Sequence, residues 1–481
     1  MKRIKYVLVA VAGLALAGLV YYGLFVFPIK EIRVQLPMVE AGYTLVRYTE
    51  DVEETIEAKV RRTGSLASEK LTYQTGDPEV AEVTAEGTLI AKKAGVTTVT
   101  VKSKGNPFVK KVIPVTVIQK ALSMQVSMPE ELPSNEFYYL AHTGDRPVLQ
   151  ALPDPVDGLV ENLTYESSNP EIVTVSEDGV LEAHQGGIAK ISVSWVGPYT
   201  EAGKQEDLGS FWVNVCRKQD HDKLEDHEIQ WYEESCLIAH ALGNAGNETY
   251  TNTKDALEES IAEGYKILEV DLNMTSDKEV VCRHTWYSDD FGVSYDGRIP
   301  DLATFEKEKY FGTLTTLTGR ELLNIWAEHP ELYFVTDVKQ DENTNLSEVM
   351  EGLVALAKEQ GQESLLDHLI IQLYGIEDYD RIREIYPFRH WLFTTYQLPD
   401  TPGAEIEAAA FSQEKDFGAF TSPVWCMGDD YFVNLANEYD LNLFIHVIDT
   451  EEEAERSMKQ GIYGFYTDFM SPAGLREARE N

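Results

Sequence analysis

The sequence predicts an α/β fold for the C-terminal half, a (β/α)₈ TIM barrel, preceded by two small all-β sandwiches and an N-terminal transmembrane helix. Three observations lead to this prediction: an uncharged apolar run near the N-terminus, an internal repeat, and a regular alternation of strand-like and helical segments after residue 236. A chain of 481 residues is long enough for several domains. We expect a membrane anchor over 1–29, β domains over 30–119 and 120–216, a linker over 217–235 and the barrel over 236–481.

The N-terminal apolar run extends from Tyr6 to Ile29 without a charge. A membrane-spanning helix needs about 20 such residues, whereas the core of a signal peptide needs about 7–15. Three basic residues precede the run, and because basic residues stay on the cytoplasmic side, the later domains are expected outside the cytoplasm of a single-pass cell-membrane protein. A cleaved signal is the alternative, since Ala15–Ala17 fits a cleavage pattern, but the run continues well past that point.

The net charge is strongly negative, at -40, with 81 acidic and 41 basic residues. Nucleic-acid binding needs clustered Lys and Arg, so nucleic acid is not an expected partner. Docking to anionic lipid through a basic patch is disfavoured for the same reason.

The four cysteines are Cys216, Cys236, Cys282 and Cys426. They are too few and too scattered to indicate a disulfide scaffold or a zinc cluster. Export would permit a disulfide bond, with three possible pairings that the sequence does not rank. Buried free thiols are the favoured interpretation.

The segment between the apolar run and about residue 216 contains an internal repeat. Leu71–Val80 aligns without gaps on Leu163–Ile172, and the match continues through two glycines in each copy. Short β-rich segments separated by Gly, Pro, Asn and Asp, with a period of roughly 90 residues, predict two small β-sandwiches.

The second copy carries the pattern S-N-P-E-I-V-T-V-S-E-D-G-V-L-E-A over 168–183. This pattern resembles the bacterial Ig-like group 2 domain, and the first copy is a looser match. The resemblance implies spacer or adhesive modules on a surface protein.

After a charged stretch over 217–235, strand-like runs alternate with amphipathic segments such as Thr253–Glu263 and Ser347–Gln360. This alternation predicts a parallel sheet with crossover helices, and about 245 residues suit one closed barrel. The predicted strands are Leu237–His240, Ile267–Asp271, Val280–His284, Tyr333–Lys339, Leu369–Tyr374, Trp391–Tyr396, Leu443–Val447 and Gly464–Asp468.

Two carboxylates share one face of the second predicted strand. Residues two apart on a strand point to the same side, so Glu269 and Asp271 lie opposite the apolar Leu268, Val270 and Leu272. If the apolar face packs under a helix, the carboxylates point into the barrel. Buried carboxylates are costly unless they are paired or bound to a metal.

Other ionisable residues fall near the C-terminal ends of predicted strands. His240, His284, Asp337 and Lys339 each follow apolar residues of the same strand face. Active sites of such barrels lie at the C-terminal ends of the strands. One such histidine is more often a packed residue, but the convergence of these groups with the two carboxylates predicts an active site.

The motifs of this half resemble those of the glycerophosphodiester phosphodiesterases. That family reads His-Arg-Gly, Pro-Glu-Asn-Thr, Glu-x-Asp, a Thr-x-Asp turn and a second His, and this chain has a similar series from His240 to His284. Further on, Asp337-Val338-Lys339 resembles the family's Glu-x-Lys, and 461–468 resembles its closing Gly-x-x-Gly-x-x-Thr-Asp. The chain looks like a divergent branch related to the phosphatidylinositol phospholipase C-like barrels.

The resemblance implies roles for individual residues. Oxygen ligands suit Ca²⁺ or Mg²⁺, and imidazoles suit proton transfer in both directions near neutral pH. The implied metal ligands are Glu269, Asp271 and Asp337, the implied general acid–base pair is His240 and His284, and the implied substrate or phosphate contacts are Lys339, Asn252 and Gln372. His446 does not follow from the resemblance; it is expected as a further substrate contact because its position in the seventh strand-like run points it toward the barrel interior.

Three departures from the family pattern bear on activity. Ala241 replaces the Arg that follows the first His, Tyr250–Thr253 replaces Pro-Glu-Asn-Thr, and His446–Asp449 replaces a Trp-Thr-Val-Asn motif.

The expected function is a metal-dependent phosphodiesterase outside the cytoplasm, acting on glycerophosphodiesters or on lipid or cell-wall phosphodiesters. The alternative is a surface-anchored binding protein with a catalytically degraded barrel.

Overall fold

The computed structural model describes most of the chain in two compact units. The first unit comprises Met1–Ser127, Gln150–Tyr165 and Val193–Gly209, and the second comprises Met128–Leu149, Glu166–Ser192 and Ser210–Asn481. The described residues are 2–35, 42–47, 52–197, 200, 204–217, 230–286, 290–293, 295, 298–340, 344–398, 403–424 and 430–475, without the side chains of 2–6, 8 and 290.

The N-terminal apolar run forms a helix over Lys2–Tyr21 that continues as a π-helical turn over Tyr22–Val26. Its segment Val9–Val26 has a mean hydropathy of 2.1 and is long and apolar enough to cross a membrane. A signal sequence has the same properties, so length and composition leave both predictions open.

The first β module has a four-stranded sheet in the order 43–47, 110–119, 95–103, 71–75, whose first two strands are parallel. Alternate residues of the long strands, among them Val99, Val101 and Val115, are buried in one apolar core. The strands are Ile29–Val34, Tyr43–Arg47, Glu53–Thr55, Ala58–Arg62, Leu71–Thr75, Ala81–Val83, Thr88–Ala91, Gly95–Ser103 and Lys110–Gln119.

The second β module repeats this sheet order, as 138–141, 206–215, 187–195, 163–167, again with its first two strands parallel. The predicted β-rich region is therefore confirmed, whereas the specific Ig-like relationship stays a prediction. The strands are Ser123–Ser127, Tyr138–Ala141, Gln150–Asp154, Leu163–Ser167, Val173–Val175, Leu181–Ala183, Gly187–Trp195 and Glu206–Val215.

The C-terminal half is a closed barrel of eight parallel strands, as predicted. Closure is shown by the first strand, which pairs in parallel with both the second and the eighth. The barrel strands are Leu237–Ala239, Ile267–Met274, Tyr333–Asp337, Leu369–Leu373, His390–Thr394, Ala419–Pro423, Asn442–His446 and Gly464–Thr467.

Helices connect these strands, and several begin with the side-chain caps that their sequences indicate. Thr253 accepts a hydrogen bond from Ala256 N, and Asn345 accepts from the first turn of the longest barrel helix. The α-helices are Lys254–Ala262, Leu302–Phe305, Gly319–Glu328, Leu346–Gln360, Asp378–Ile385, Ala404–Glu414, Tyr431–Glu438 and Glu451–Gln460; short 3₁₀ turns span His240–Leu242, Asp290–Gly292 and Glu363–His368.

Two strand predictions differ from the structure. Val280–Cys282 is not a barrel strand: it pairs antiparallel with the end of Ile267–Met274, and it also pairs antiparallel with the short strand Leu317–Thr318. The sixth barrel strand, Ala419–Pro423, is missing from the prediction. The sequence of Ala419–Pro423 contains Ser and Pro, which weaken the strand signal. Val280–Cys282 was misassigned because the turn after Met274 is short enough for a hairpin, whereas a parallel strand needs a longer crossover.

Residues 218–229 of the predicted linker lie outside the described residues, but its last residues form a short, largely buried helix, Trp231–Glu234. Trp231 stacks on Phe444 with ring centroids 5.5 Å apart. Within the same unit, Tyr138 of the second β module stacks on Tyr463 at 5.2 Å and donates a hydrogen bond to Ile462 O at 3.1 Å. Aromatic contacts therefore hold both the helix that precedes the first barrel strand and the residue that precedes the eighth.

Candidate active site

A cavity of about 510 Å³ opens at the C-terminal ends of the barrel strands. Parallel strands bring their C-terminal ends to one edge, and this edge of a barrel carries the catalytic groups of such folds. Eight of the nine predicted site residues line it: His240, Glu269, Asp271, His284, Asp337, Lys339, Gln372 and His446.

Three buried carboxylates form one side of this cavity. Glu269 and Asp271 are each 2% exposed and Asp337 is 7% exposed, and one oxygen from each lies within 4.8 Å of the other two. Burial, followed by the charges of Asp271 and Asp337, raises the pKa of Glu269 well above its usual value. Burial and Asp337 raise the pKa of Asp271. Such mutual repulsion is what a divalent cation would remove, and the all-oxygen donor set fits Ca²⁺ or Mg²⁺.

The loop after the first barrel strand orients two of these carboxylates. Ala241, at φ +48°, donates its backbone N–H to Glu269 Oε2 at 2.6 Å. Asn252 is fully buried, donates Nδ2–H to Asp271 Oδ2 at 2.8 Å and accepts from Asp271 N at 2.9 Å. Asn252 therefore contacts a carboxylate and not the cavity, which differs from the substrate contact expected from the resemblance.

Substitution of Asn252 tests this orienting role. Asn252→Ala is expected to weaken divalent-metal binding about 10–100-fold, since groups that orient metal ligands contribute that much to affinity. Titration calorimetry with Ca²⁺ or Mg²⁺ on metal-free protein measures the change. The exposed Asn324→Ala serves as the matched control, and equal affinities for both variants would contradict the assignment.

His240 is held by an aspartate from the other end of the barrel sequence. Its Nδ1 lies 3.0 Å from Asp468 Oδ1, which directly follows the eighth strand. A carboxylate in this position accepts Nδ1–H and leaves Nε2 available to the cavity. The ring of Tyr250 packs edge-on against His240 at 4.2 Å and against His284 at 5.9 Å. One tyrosine thus contacts both predicted acid–base groups.

Lys339 joins Asp337 to two tyrosines. Its Nζ donates to Asp337 Oδ2, to Tyr374 Oη at 2.8 Å and to Tyr396 Oη. Burial opposes the charge on Lys339, but the Asp337 and Asp271 carboxylates outweigh it and raise the pKa of the ammonium group. Lys339 is therefore a fixed cation beside the carboxylates.

His446 and Gln372 form the remaining wall with Tyr466. Tyr466 donates to Gln372 Oε1 at 3.3 Å, and its ring lies 5.6 Å from that of His446. Burial and the neighbouring His240 lower the pKa of His446 to about 4. His446 is consequently neutral near neutral pH, which suits shaping of the cavity more than proton transfer.

Five residues that contribute to the site were not predicted from the sequence: Tyr250, Asp468, Tyr374, Tyr396 and Tyr466. Tyr374, Tyr396 and Asp468 each follow the end of a barrel strand within two residues. Tyr466 and Asp468 are two residues apart, so they are expected on the same face of the chain. The strand-end rule, applied to the fifth and eighth strands as it was to the first, would have selected Asp468 and Tyr396. Their pairing with His240 and Lys339 has no local sequence signal.

The family comparison decides the classification of this barrel. Residues 243–471 match the model of the Glycerophosphoryl diester phosphodiesterase family. This barrel belongs to that family. It is accordingly the barrel of a phosphoric diester hydrolase, and the match begins three residues after His240.

Solved phosphodiesterase structures are similar to this part of the chain at low sequence identity. A phosphodiesterase from Oleispira antarctica in complex with the product sn-glycerol-3-phosphate is 16% identical, with 51% of this chain and 96% of that chain covered and a TM-score of 0.40. The glycerophosphodiester phosphodiesterase from Thermotoga maritima is 15% identical, with 53% and 100% covered and a TM-score of 0.38.

Two further matches were found, one to a family model and one to a single protein. Residues 66–117 match the model named Hyaluronate lyase, N-terminal beta-sheet domain. An uncharacterized protein of Clostridium acetobutylicum is 27% identical over 131 residues, which are 27% of this chain and 13% of that protein. The matched stretch therefore spans only a small part of this relative.

Proposed function

We propose that the chain hydrolyses glycerophosphodiesters with the help of a divalent metal ion, Ca²⁺ or Mg²⁺. The observation that carries the proposal is the shared cavity, which is lined by His240 and His284, by the three buried carboxylates and by Lys339. Glu269, Asp271 and Asp337 would hold the ion, which when bound neutralises negative charge on the phosphoryl oxygens.

The protein's own groups supply the proton transfers and the phosphate contact. Asp468 fixes the His240 ring so that Nε2 faces the cavity, and Lys339 offers an ammonium group beside the carboxylates. One imidazole accepts the proton of the attacking hydroxyl as its oxygen bonds to phosphorus. The other, His284 or His240, donates a proton to the leaving alcohol oxygen as its bond to phosphorus breaks.

We place the hydroxyl attack within the substrate. A glycerol hydroxyl adjacent to the diester would attack first and give a cyclic phosphate, and water would then open the ring with the two imidazoles in exchanged roles. Glycerophosphodiesters provide this hydroxyl, as do lysophospholipids, through the free hydroxyl of their glycerol backbone, and glycerol-phosphate polymers. All three substrate classes remain within the proposal.

We also propose that the N-terminal helix anchors the chain in the cell membrane, with the barrel outside the cytoplasm. Its segment Val9–Val26 is long and apolar enough to span a bilayer, and the basic residues precede it. Membrane fractionation combined with protease accessibility of intact cells tests this topology. Protection of the barrel from external protease would overturn it.

The activity test is release of sn-glycerol phosphate from glycerophosphocholine by the full chain. Turnover is expected with Ca²⁺ or Mg²⁺, and chelation is expected to remove it. A lysophospholipid and a glycerol-phosphate polymer, assayed in parallel, distinguish the substrate classes. Absence of turnover on all three, with either metal, would favour the alternative of a surface binding protein, which Ala241 in place of the family's Arg supports.

A further inference from the structure

A second group of possible metal ligands lies apart from the active-site cavity. His142, Cys216 and Glu233 each offer one ligand atom, and these atoms lie within 4.8 Å of one another. None of the three lines the cavity described above. We refer to them as the His–Cys–Glu cluster.

The fold of the second compact unit assembles this cluster from distant segments. The strands Tyr138–Ala141 and Glu206–Val215 are adjacent and parallel, with Ala141 opposite Val215. His142 and Cys216 are the residues that follow them, and Cys216 N donates to Ala141 O at 2.7 Å. Because parallel strands end at the same edge, the imidazole and the thiol emerge side by side, and the helix before the barrel adds Glu233.

Glu233 supplies an independent indication of a ligand. The residue is 7% exposed, and its Oε2 accepts a hydrogen bond from Gln230 N at 3.0 Å as part of a helix capping box. Its Oε1 is buried and has no hydrogen-bond partner of ordinary geometry in the described part of the chain, and a second donor that interacts with this carboxylate is the Cys216 thiol. A buried carboxylate oxygen without a partner is costly, and a cation is the partner that removes this cost.

We propose that the His–Cys–Glu cluster binds a Zn²⁺ ion. A thiolate, an imidazole and a carboxylate together suit Zn²⁺, whereas Ca²⁺ and Mg²⁺ prefer oxygen ligands only. Zinc bonds of about 2.0–2.3 Å put tetrahedral ligands about 3.3–3.8 Å apart, so ligand atoms within 4.8 Å of one another need to approach by at most about 1–1.5 Å.

The surroundings of His142 complete the proposed site. Its side chain is 57% exposed, which leaves a water molecule access to a fourth position on the ion. Asp145 Oδ2 lies 3.8 Å from His142 Nδ1, close enough for the carboxylate to orient the imidazole through a small side-chain movement. The ion would tie the ends of two β strands to the helix that leads into the barrel, and so stabilise this junction.

Cobalt substitution tests the site separately from the active site. Full-length protein is stripped of metal with a chelator, dialysed and titrated with Co²⁺ alone. A thiolate bound to Co²⁺ gives a near-ultraviolet charge-transfer absorption, which the three carboxylates at the barrel mouth cannot produce because they offer only oxygen. We expect this absorption in the wild-type protein and in Cys282→Ala, and its removal by Zn²⁺.

Two variants make the result specific. Cys216→Ser is expected to abolish the absorption. His142→Ala, at an exposed position that folding tolerates, is expected to weaken Co²⁺ binding at least about tenfold. Zn²⁺ added in the presence of saturating Ca²⁺ is expected to raise the unfolding temperature of the wild type more than that of His142→Ala. Absence of the absorption in the wild type, or its persistence in Cys216→Ser, would overturn the proposal.

Discussion

His240→Ala is expected to lower kcat for glycerophosphocholine hydrolysis about 10²–10⁴-fold, the usual contribution of a general acid or base. The variant removes the Nε2 atom that Asp468 orients toward the cavity, while the three carboxylates stay in place. His284→Ala is expected to have an effect of similar size. Initial-rate measurements over a range of substrate concentrations separate kcat from KM.

Two further measurements keep this prediction specific. His329 is a histidine outside the cavity, and His329→Ala is expected to keep wild-type kcat. Metal affinity, determined by calorimetry, is expected to change little in His240→Ala, because the imidazole is not one of the proposed ligands. Wild-type activity of both His240→Ala and His284→Ala would exclude the acid–base assignment.

Glu269→Gln is expected to abolish metal-dependent turnover and at the same time to raise the stability of the metal-free protein. The amide still accepts the hydrogen bond from Ala241 N, so the loop keeps its contact. What disappears is one of three buried negative charges that repel each other. If removal of this repulsion raises the free energy of unfolding by about 1 kcal/mol, the unfolding temperature rises by roughly 2–4 °C.

The pH dependence of the metal-free protein follows from the raised pKa of Glu269. The folded state binds this proton more tightly than the unfolded state, whose pKa is near 4.5. The proton bound by Glu269 therefore contributes its full stabilisation of the folded state below pH 4.5, and this stabilisation is lost as the pH rises through the folded-state pKa. Thermal unfolding in chelator, followed from acid to neutral pH, is expected to show a smaller loss for Glu269→Gln than for the wild type.

Controls for this prediction use the same measurements. Glu328 is exposed on a barrel helix, and Glu328→Gln is expected to match the wild type in activity and in metal-free stability. Added Ca²⁺ or Mg²⁺ is expected to raise the unfolding temperature of the wild type but to have little effect on Glu269→Gln. Equal metal stabilisation of both proteins would argue against the carboxylates as ligands.

Periodicity predicted much of the fold and one face of the site. The alternation along Lys266–Asn273 assigned Glu269 and Asp271 to the barrel interior because side chains two apart on a strand share a face. The same reasoning misassigned Val280–Cys282, since a short strand that forms a hairpin has the same local pattern as one that joins a parallel sheet. Whether a strand pairs with its sequence neighbour or crosses over depends on the whole barrel.

The sequence by itself determined the order of the modules, the barrel class and the strand faces that carry the ionisable groups, because these depend on local hydrophobic periods. Only the tertiary structure shows that Asp468 contacts His240, 228 positions away in the chain, and that Asn252 forms a hydrogen bond with Asp271. The same holds for the cluster of His142, Cys216 and Glu233. These contacts arise when the barrel closes and when parallel strands end together. Both events join residues that are far apart in the chain and carry no shared local pattern.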